Sequence, residues 1–178
     1  GGKKNIKNIS EAKKVAKEVG YPVLIKATNG GGGRGIKKVY EESELSENLS
    51  LARKEATQSF GNDEVYIEKF IEDPRHIEVQ IIGDKFGNII HVGERECSIQ
   101  RRSQKVIEEC PSPGISKDER ERICKITVNA FKKIGYQNLG TVEYLYSKGN
   151  FYFIEMNTRL QVEHTVTEEV YNIDIVKE

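Results

Sequence analysis

Glu143, Glu155 and Asn157 are the residues of this sequence with the clearest capacity for chemistry. They belong to two strand-like runs, 141–146 and 151–156, joined by Lys148-Gly149-Asn150, which reads as a hairpin turn. Side chains two apart on a strand share a face, so Glu155 and Asn157 are expected on one side with Phe151 and Phe153. Glu143, on the other strand, faces away from its neighbours Val142 and Tyr144. Two carboxylates and an amide oxygen on paired strands are hard donors that suit Mg²⁺ or Mn²⁺ bridging nucleotide phosphates. Without a cation between them, like carboxylates at such a distance repel.

The run Arg159-Leu160-Gln161-Val162-Glu163-His164 follows at once. A guanidinium can hold a carboxylate-like anion, bicarbonate among them, by two parallel hydrogen bonds. Gln161 can orient such an anion, and Glu163 can act as a general base if its pKa lies near the working pH. Lys105, from a basic stretch containing Arg101 and Arg102, can add positive charge. Far upstream, Lys26 ends the apolar run 23–25 and is followed by the four glycines of positions 30–33. Amides without a Cβ beside them can close over phosphate oxygens. No Gly-Lys-Ser/Thr follows, which excludes a Walker A loop, and a strand rather than a helix comes next, which excludes a Rossmann fingerprint. A phosphate lid between two strands fits better. The run 65–71 can serve as an adenine platform, with Glu68 accepting from an amino or ribose group.

These groups need a scaffold, and the pattern of elements supplies an α+β layered one. A helix over 11–19 is capped by Ser10, with Ile9, Ala12, Val15, Ala16 and Val19 on one face. Strands are expected at 23–25, 36–40, 65–70, 76–82 and 89–94, and a helix over 43–60 carries Leu45, Leu49, Ala52 and Ala56 on one side. Residues 97–114 read as irregular. Ser116 and Glu119 form a capping box for a long helix whose apolar stripe is Ile123, Ile126, Ala130, Phe131 and Ile134. A last helix begins near Thr167. The organisation expected is a lid subdomain over 1–70 with the glycine loop and a core over 71–178 with the metal and anion site.

The 28 basic and 28 acidic side chains balance, giving no electrostatic case for nucleic acid or a membrane as main partner. No run of apolar residues is long enough for a membrane span. Cys97, Cys110 and Cys124 lack a CxxC spacing, which fits packing in a reducing compartment, the cytoplasm or an organelle matrix. Both ends look cut from a longer protein.

Taken together, these residues resemble the biotin carboxylase family within the ATP-grasp superfamily. The stretch 21–28 with the glycine loop, and Phe153-Ile154-Glu155-Met156-Asn157-Thr158-Arg159-Leu160, resemble the two signatures shared with carbamoyl-phosphate synthetases. Three narrower pieces, 74–78, 96–102 and 159–164, look like biotin-dependent carboxylases in particular. The resemblance covers nearly the whole chain from Ser10 onward. It implies an ATP-grasp fold with an antiparallel-rich sheet and flanking helices, and ATP- and Mg-dependent carboxylation of biotin by bicarbonate through carboxyphosphate. By the same resemblance, Lys26, Gly32, Gly33, Glu68, Lys69, Ile71, His76, Gln100 and Leu145 contact ATP. Glu143, Glu155 and Asn157 hold Mg²⁺ or Mn²⁺. Lys105, Arg159, Gln161 and Val162 hold bicarbonate with Glu78 close by, and Arg159, Glu163 and Lys105 are catalytic. The partners implied are biotin on a carrier domain, a carboxyltransferase component and a second copy in a homodimer. Ser103 departs from the family, standing where many members carry His beside the nucleotide. The family's N-terminal domain with a further ATP-contacting Lys is missing, as is its C-terminal region with a biotin-facing Arg. The competing readings are another ATP-grasp ligase, such as a carbamoyl-phosphate synthetase half, and a non-catalytic ATP-binding module.

Overall fold

The computed structural model describes residues 5–29, 35–102 and 104–178. Gly32, Gly33 and Ser103 lie outside the described residues. The chain folds as two compact units that divide between Glu72 and Asp73.

In the first unit, helix α1 (Ile9–Val19) and helix α2 (Leu45–Phe60) pack on a three-stranded antiparallel sheet. Its strands, β1 (Val23–Ala27), β2 (Ile36–Val39) and β3 (Val65–Lys69), lie in the order β2-β1-β3. Val23, Ile25, Val65 and Ile67 point at the helices and are fully buried, each contributing about 1.5–3 kcal/mol by leaving water. Leu45, Leu49, Ala52 and Ala56 line the buried side of α2, as the spacing predicts. The N-cap of α1 is Asn8 rather than Ser10: its Oδ1 accepts from the Glu11 amide at 2.9 Å. The reason is local, because Asn and Ser are near-equal caps and Asn8 sits three residues before the amide that needs a partner.

In the second unit a five-stranded antiparallel sheet runs in the order β6-β5-β4-β7-β8. The strands are β4 (Arg75–Gly83), β5 (Ile89–Arg101), β6 (Gln104–Glu109), β7 (Asn138–Ser147) and β8 (Asn150–Asn157). The sequence 97–114, expected to be irregular, is mostly strand. β5 continues to Arg101 and turns back as β6, with Gln100 opposite Lys105 and Ile99 opposite Ile107. Helix α3 (Lys117–Lys133) begins at the Ser116–Glu119 capping box and covers one face of the sheet. Its buried side is Ile123, Cys124 and Thr127, while Ile126 and Ile134 are exposed, so the expected stripe is rotated. Thr127 can sit inside because its hydroxyl bonds the Ile123 carbonyl and the Tyr144 hydroxyl, each at 2.8 Å. Helix α4 (His164–Tyr171) starts three residues earlier than the sequence suggested.

One irregularity in β8 redirects its side chains. Glu155 stands opposite Glu143, yet Phe153 stands opposite Tyr144, so Ile154 is an extra residue with no partner on β7. The bulge inverts the alternation. Phe151 and Phe153 pack edge-on against Tyr144 on the α3 side. Glu155, expected to share their face, is on the opposite one with Glu143.

Candidate active site

The face of the second sheet turned away from α3 is polar. On β4, His76, Glu78 and Gln80 alternate with the buried Ile77, Val79 and Ile81. Register then lines up Arg95, Glu78, Glu143 and Glu155 in one row across β5, β4, β7 and β8. A row of charges in mid-sheet is stable only if the partners are close, and they are.

Lys105 reaches this row from β6. Its Nζ lies 2.5 Å from Glu78 Oε2, 3.0 Å from Glu143 Oε1 and 2.5 Å from Glu163 Oε1. Burial alone would lower the Lys105 pKa, but the charge of Glu78, hydrogen bonds to Glu163 and Glu78 and the charge of Glu143 hold it well above the ordinary value. Glu143 is brought down to about 2: burial pushes it up, and the His76 hydrogen bond and the Lys105 charge overcome that. Glu143 Oε2 faces His76 Nε2 at 2.8 Å, and its Oε1 also accepts from Asn157 Nδ2 at 2.8 Å and Gln161 Nε2 at 3.2 Å. Glu163 is likewise below the usual carboxylate range, since the Lys105 hydrogen bond, a backbone amide and nearby positive charge outweigh its burial.

The structure therefore gathers Glu78, Lys105, Glu143, Asn157, Gln161 and Glu163, which the sequence scatters over 86 positions. His76 joins them, and Gln100 Nε2 lies 2.7 Å from His76 Nδ1, with Leu145 opposite His76 in register. Glu155 is in the row but exposed. Arg159 and Val162 are not drawn in: the Arg159 guanidinium contacts the Leu160 carbonyl, and Val162 is 89% exposed. In the first unit, Lys26 forms an ion pair with Glu68, and Lys69 Nζ bonds the Gly20 and Tyr21 carbonyls, each at 2.8 Å. Ile71 is half-buried near the end of that unit.

Two participants escaped the sequence reading. Arg95 is fully buried, with Nε 2.6 Å from Glu78 Oε1. The Cys97 thiol lies within 4.8 Å of oxygens of Glu78 and Glu163, and burial together with the Glu78 charge pushes its pKa well up. The signal available was the strict alternation of polar and apolar residues over 76–81, which requires polar partners on the adjoining strands.

These donors are hard enough for a divalent cation, which would require the Lys105 ammonium to release Glu78 and Glu143. His76, Glu78 and Glu143 each bring one ligand atom within 4.8 Å of the others, and Gln161 Oε1 is buried with no hydrogen-bond partner. An acceptor oxygen without a donor beside a carboxylate is a position that a cation or a ligand N–H or O–H would satisfy.

The family model for the carbamoyl-phosphate synthase L chain, ATP binding domain, matches residues 1–178. The chain belongs to this family. Within it, the resemblance to biotin carboxylases holds. The chain is 58% identical over 164 residues to a biotin carboxylase of Pseudomonas aeruginosa, which covers 92% of this chain and 36% of that protein. It is 56% identical over 172 residues to a pyruvate carboxylase of Staphylococcus aureus, covering 97% of this chain and 15% of that one. Among solved structures, it matches the biotin carboxylase domain dimer of Hydrogenobacter thermophilus 2-oxoglutarate carboxylase with a TM-score of 0.87 and 52% identity. That match covers 99% of this chain and 39% of the other, which was solved with MgADP, ADP and bicarbonate. A biotin carboxylase of Campylobacter jejuni gives the same TM-score, 0.87, at 53% identity, covering 97% of this chain and 39% of the other. The fold is thus the α+β ATP-grasp fold of this carbamoyl-phosphate synthase ATP-binding family, and the chain spans little more than a third of the biotin carboxylases it matches.

Proposed function

We propose that this chain is the catalytic portion of an ATP-dependent ligase that carboxylates biotin with bicarbonate through carboxyphosphate. The observation that carries the reading is the Lys105 ammonium bonded at once to Glu78, Glu143 and Glu163, with Gln161 beside Glu143. Such a cluster offers an anion one cationic donor, an orienting amide and a carboxylate that can take a proton. Its likeness to a domain solved with MgADP and bicarbonate supports the same ligands here.

Glu143, Glu155 and Asn157 would hold Mg²⁺ or Mn²⁺, which when bound would neutralise charge on the nucleotide phosphates. Lys26, Gly32, Gly33, Glu68, Lys69, Ile71, His76, Gln100 and Leu145 are the proposed ATP contacts. Lys105, Arg159, Gln161, Val162 and Glu78 would orient bicarbonate. Glu163 would accept the bicarbonate proton as the bicarbonate oxygen attacks the γ-phosphorus and ADP leaves. For that, Arg159 has to turn from the Leu160 carbonyl toward the anion, where it would stabilise charge as carboxyphosphate breaks down and biotin is carboxylated. Biotin on a carrier domain, a carboxyltransferase component and a second copy of the enzyme are the partners proposed. We place the protein in a reducing compartment, the cytoplasm or a mitochondrial or plastid matrix, in keeping with the free thiols of Cys97, Cys110 and Cys124. Among the described residues, no helix is long and apolar enough to cross a membrane.

The test is ATP hydrolysis by the natural full-length protein with and without bicarbonate and biotin. Turnover that needs both supports the reading. Turnover stimulated by bicarbonate but indifferent to biotin would move the protein to another ATP-grasp ligase.

A further inference from the structure

We infer that Arg95 is a positioning residue that sets two of the three carboxylates gripping Lys105, those of Glu78 and Glu163. The inference rests on the reading of Lys105 and Glu78 as part of the anion site. Arg95 is fully buried, and so is Glu78. Its guanidinium is divided among three elements. Nε donates to Glu78 Oε1 on β4 at 2.6 Å. NH1 donates to Gln80 Oε1 at 2.9 Å and to Thr167 Oγ1 on α4 at 2.8 Å. NH2 approaches Thr141 Oγ1 on β7 at 3.5 Å.

Two consequences follow from that division. Glu78 has two carboxylate oxygens: Arg95 takes Oε1, so Oε2 is turned to Lys105 at 2.5 Å. Thr167 is fully buried in α4, and the residue capping that helix is Glu163, a second carboxylate held by Lys105. One side chain therefore fixes both the rotation of Glu78 and the start of the helix that delivers Glu163. Neither is a contact with the reacting atoms. Stability is a poor explanation for such a residue. A fully buried ion pair recovers little after desolvation, and apolar residues of similar volume often do as well or better. Lysine cannot replace it, because a single ammonium has no planar fork to span Glu78, Gln80 and Thr167 together.

The experiment uses Arg95→Lys and Thr167→Val in the natural full-length protein. Bicarbonate-dependent ATP hydrolysis gives KM for each substrate, the ¹⁵N–¹H signal of the Lys105 ammonium reports its hydrogen bonding, and thermal unfolding reports the fold. A misplaced anion-binding group costs affinity for the anion and little for the nucleotide. Arg95→Lys is expected to raise KM for bicarbonate by about tenfold or more and to leave KM for ATP within about twofold. Thr167→Val, a nearly isosteric change, is expected to move KM for bicarbonate in the same direction by about threefold. A slowly exchanging Lys105 signal is expected in the parent from its three short contacts, and it should broaden or disappear in both variants. The inference is overturned if both variants keep the parent bicarbonate KM and Lys105 signal. It is equally overturned if both KM values and the unfolding midpoint worsen in step, which is a purely structural role. If Arg95→Lys fails to fold, Thr167→Val decides alone. A parent protein without bicarbonate-dependent turnover would remove the proposed function, and the Lys105 signal would still decide whether Arg95 sets that ammonium.

Discussion

As the proposed base, Glu163 would meet two demands that pull apart. A base must be ionised, which Lys105 secures at 2.5 Å, and it must accept a proton, which the same contact opposes by holding the pKa low. The proposed proton transfer would therefore require Lys105 to pass its hydrogen bond from Glu163 to the arriving anion. Replacing Glu163 by Gln should leave ATP affinity within about twofold in a binding titration and reduce bicarbonate-dependent turnover by about 100-fold or more. Replacing Glu155 by Gln should weaken Mg²⁺-dependent nucleotide binding, and equal Mg·ATP affinity in both forms would remove Glu155 from the metal set. Outside the site, Glu96 offers a test of acid stability. Burial pushes its pKa up, but hydrogen bonds from Ser112, Ser98 and Arg75 bring it below the ordinary value. Its contribution is then complete above the ordinary carboxylate range and lost as pH falls through it toward the folded value. Between about pH 5 and pH 3 the unfolding temperature of Glu96→Gln should fall less steeply than that of the parent. Membership of the polar cluster was legible where a motif named the residue, as at Lys105, Gln161 and Glu163. Arg95 was not, because nothing local distinguishes it from the neighbouring exposed Arg101 and Arg102; burial by β4, β7 and α4 makes the difference.

The elements show where reading by period succeeds and where it stops. Helix α2 was legible because every residue on its inner side is apolar. Helix α3 was not, because a hydroxyl, Thr127, faces inward and an isoleucine, Ile126, faces out. Strand β6, Gln104–Glu109, carries too many charges to read as a strand, and only pairing with β5 makes it one. The bulge at Ile154 was invisible for a different reason, since an unpaired residue is defined by its partner strand. Deleting Ile154 should remove the bulge and restore plain alternation with Phe153 still opposite Tyr144 and Glu155 still opposite Glu143, so Mn²⁺ binding measured by electron paramagnetic resonance should be retained. The α3 cap is a simpler case: Ser116→Ala should lower stability by about 1 kcal/mol in denaturant unfolding without changing substrate KM values. Gly93, at φ +69, has no room for a side chain. A Cβ there would lie 2.1 Å from the Tyr171 hydroxyl, so Gly93→Ala should push the Tyr171 ring aside and, with the left-handed backbone, cost about 1–2 kcal/mol in the same assay.

At the scale of the molecule, each unit owns a separate apolar core, one around Ile25 and Ile67 and one around Val79, Ile81 and Val142. The ATP-grasp architecture was legible early because both signature stretches end strands, where catalytic groups can be carried on rigid backbone. The chemistry itself depends on a property that no single strand has. Inside the polar cluster, the carboxylates of Glu78, Glu143 and Glu163 outnumber the cations Arg95 and Lys105 by one. The pocket proposed to receive an anion is thus itself electronegative while it waits, and its sign reverses only when two further positive charges enter. The order of arrival follows: bicarbonate should bind feebly to protein stripped of divalent ions by chelation, and calorimetric titration should show its affinity recovering as Mg²⁺ is restored.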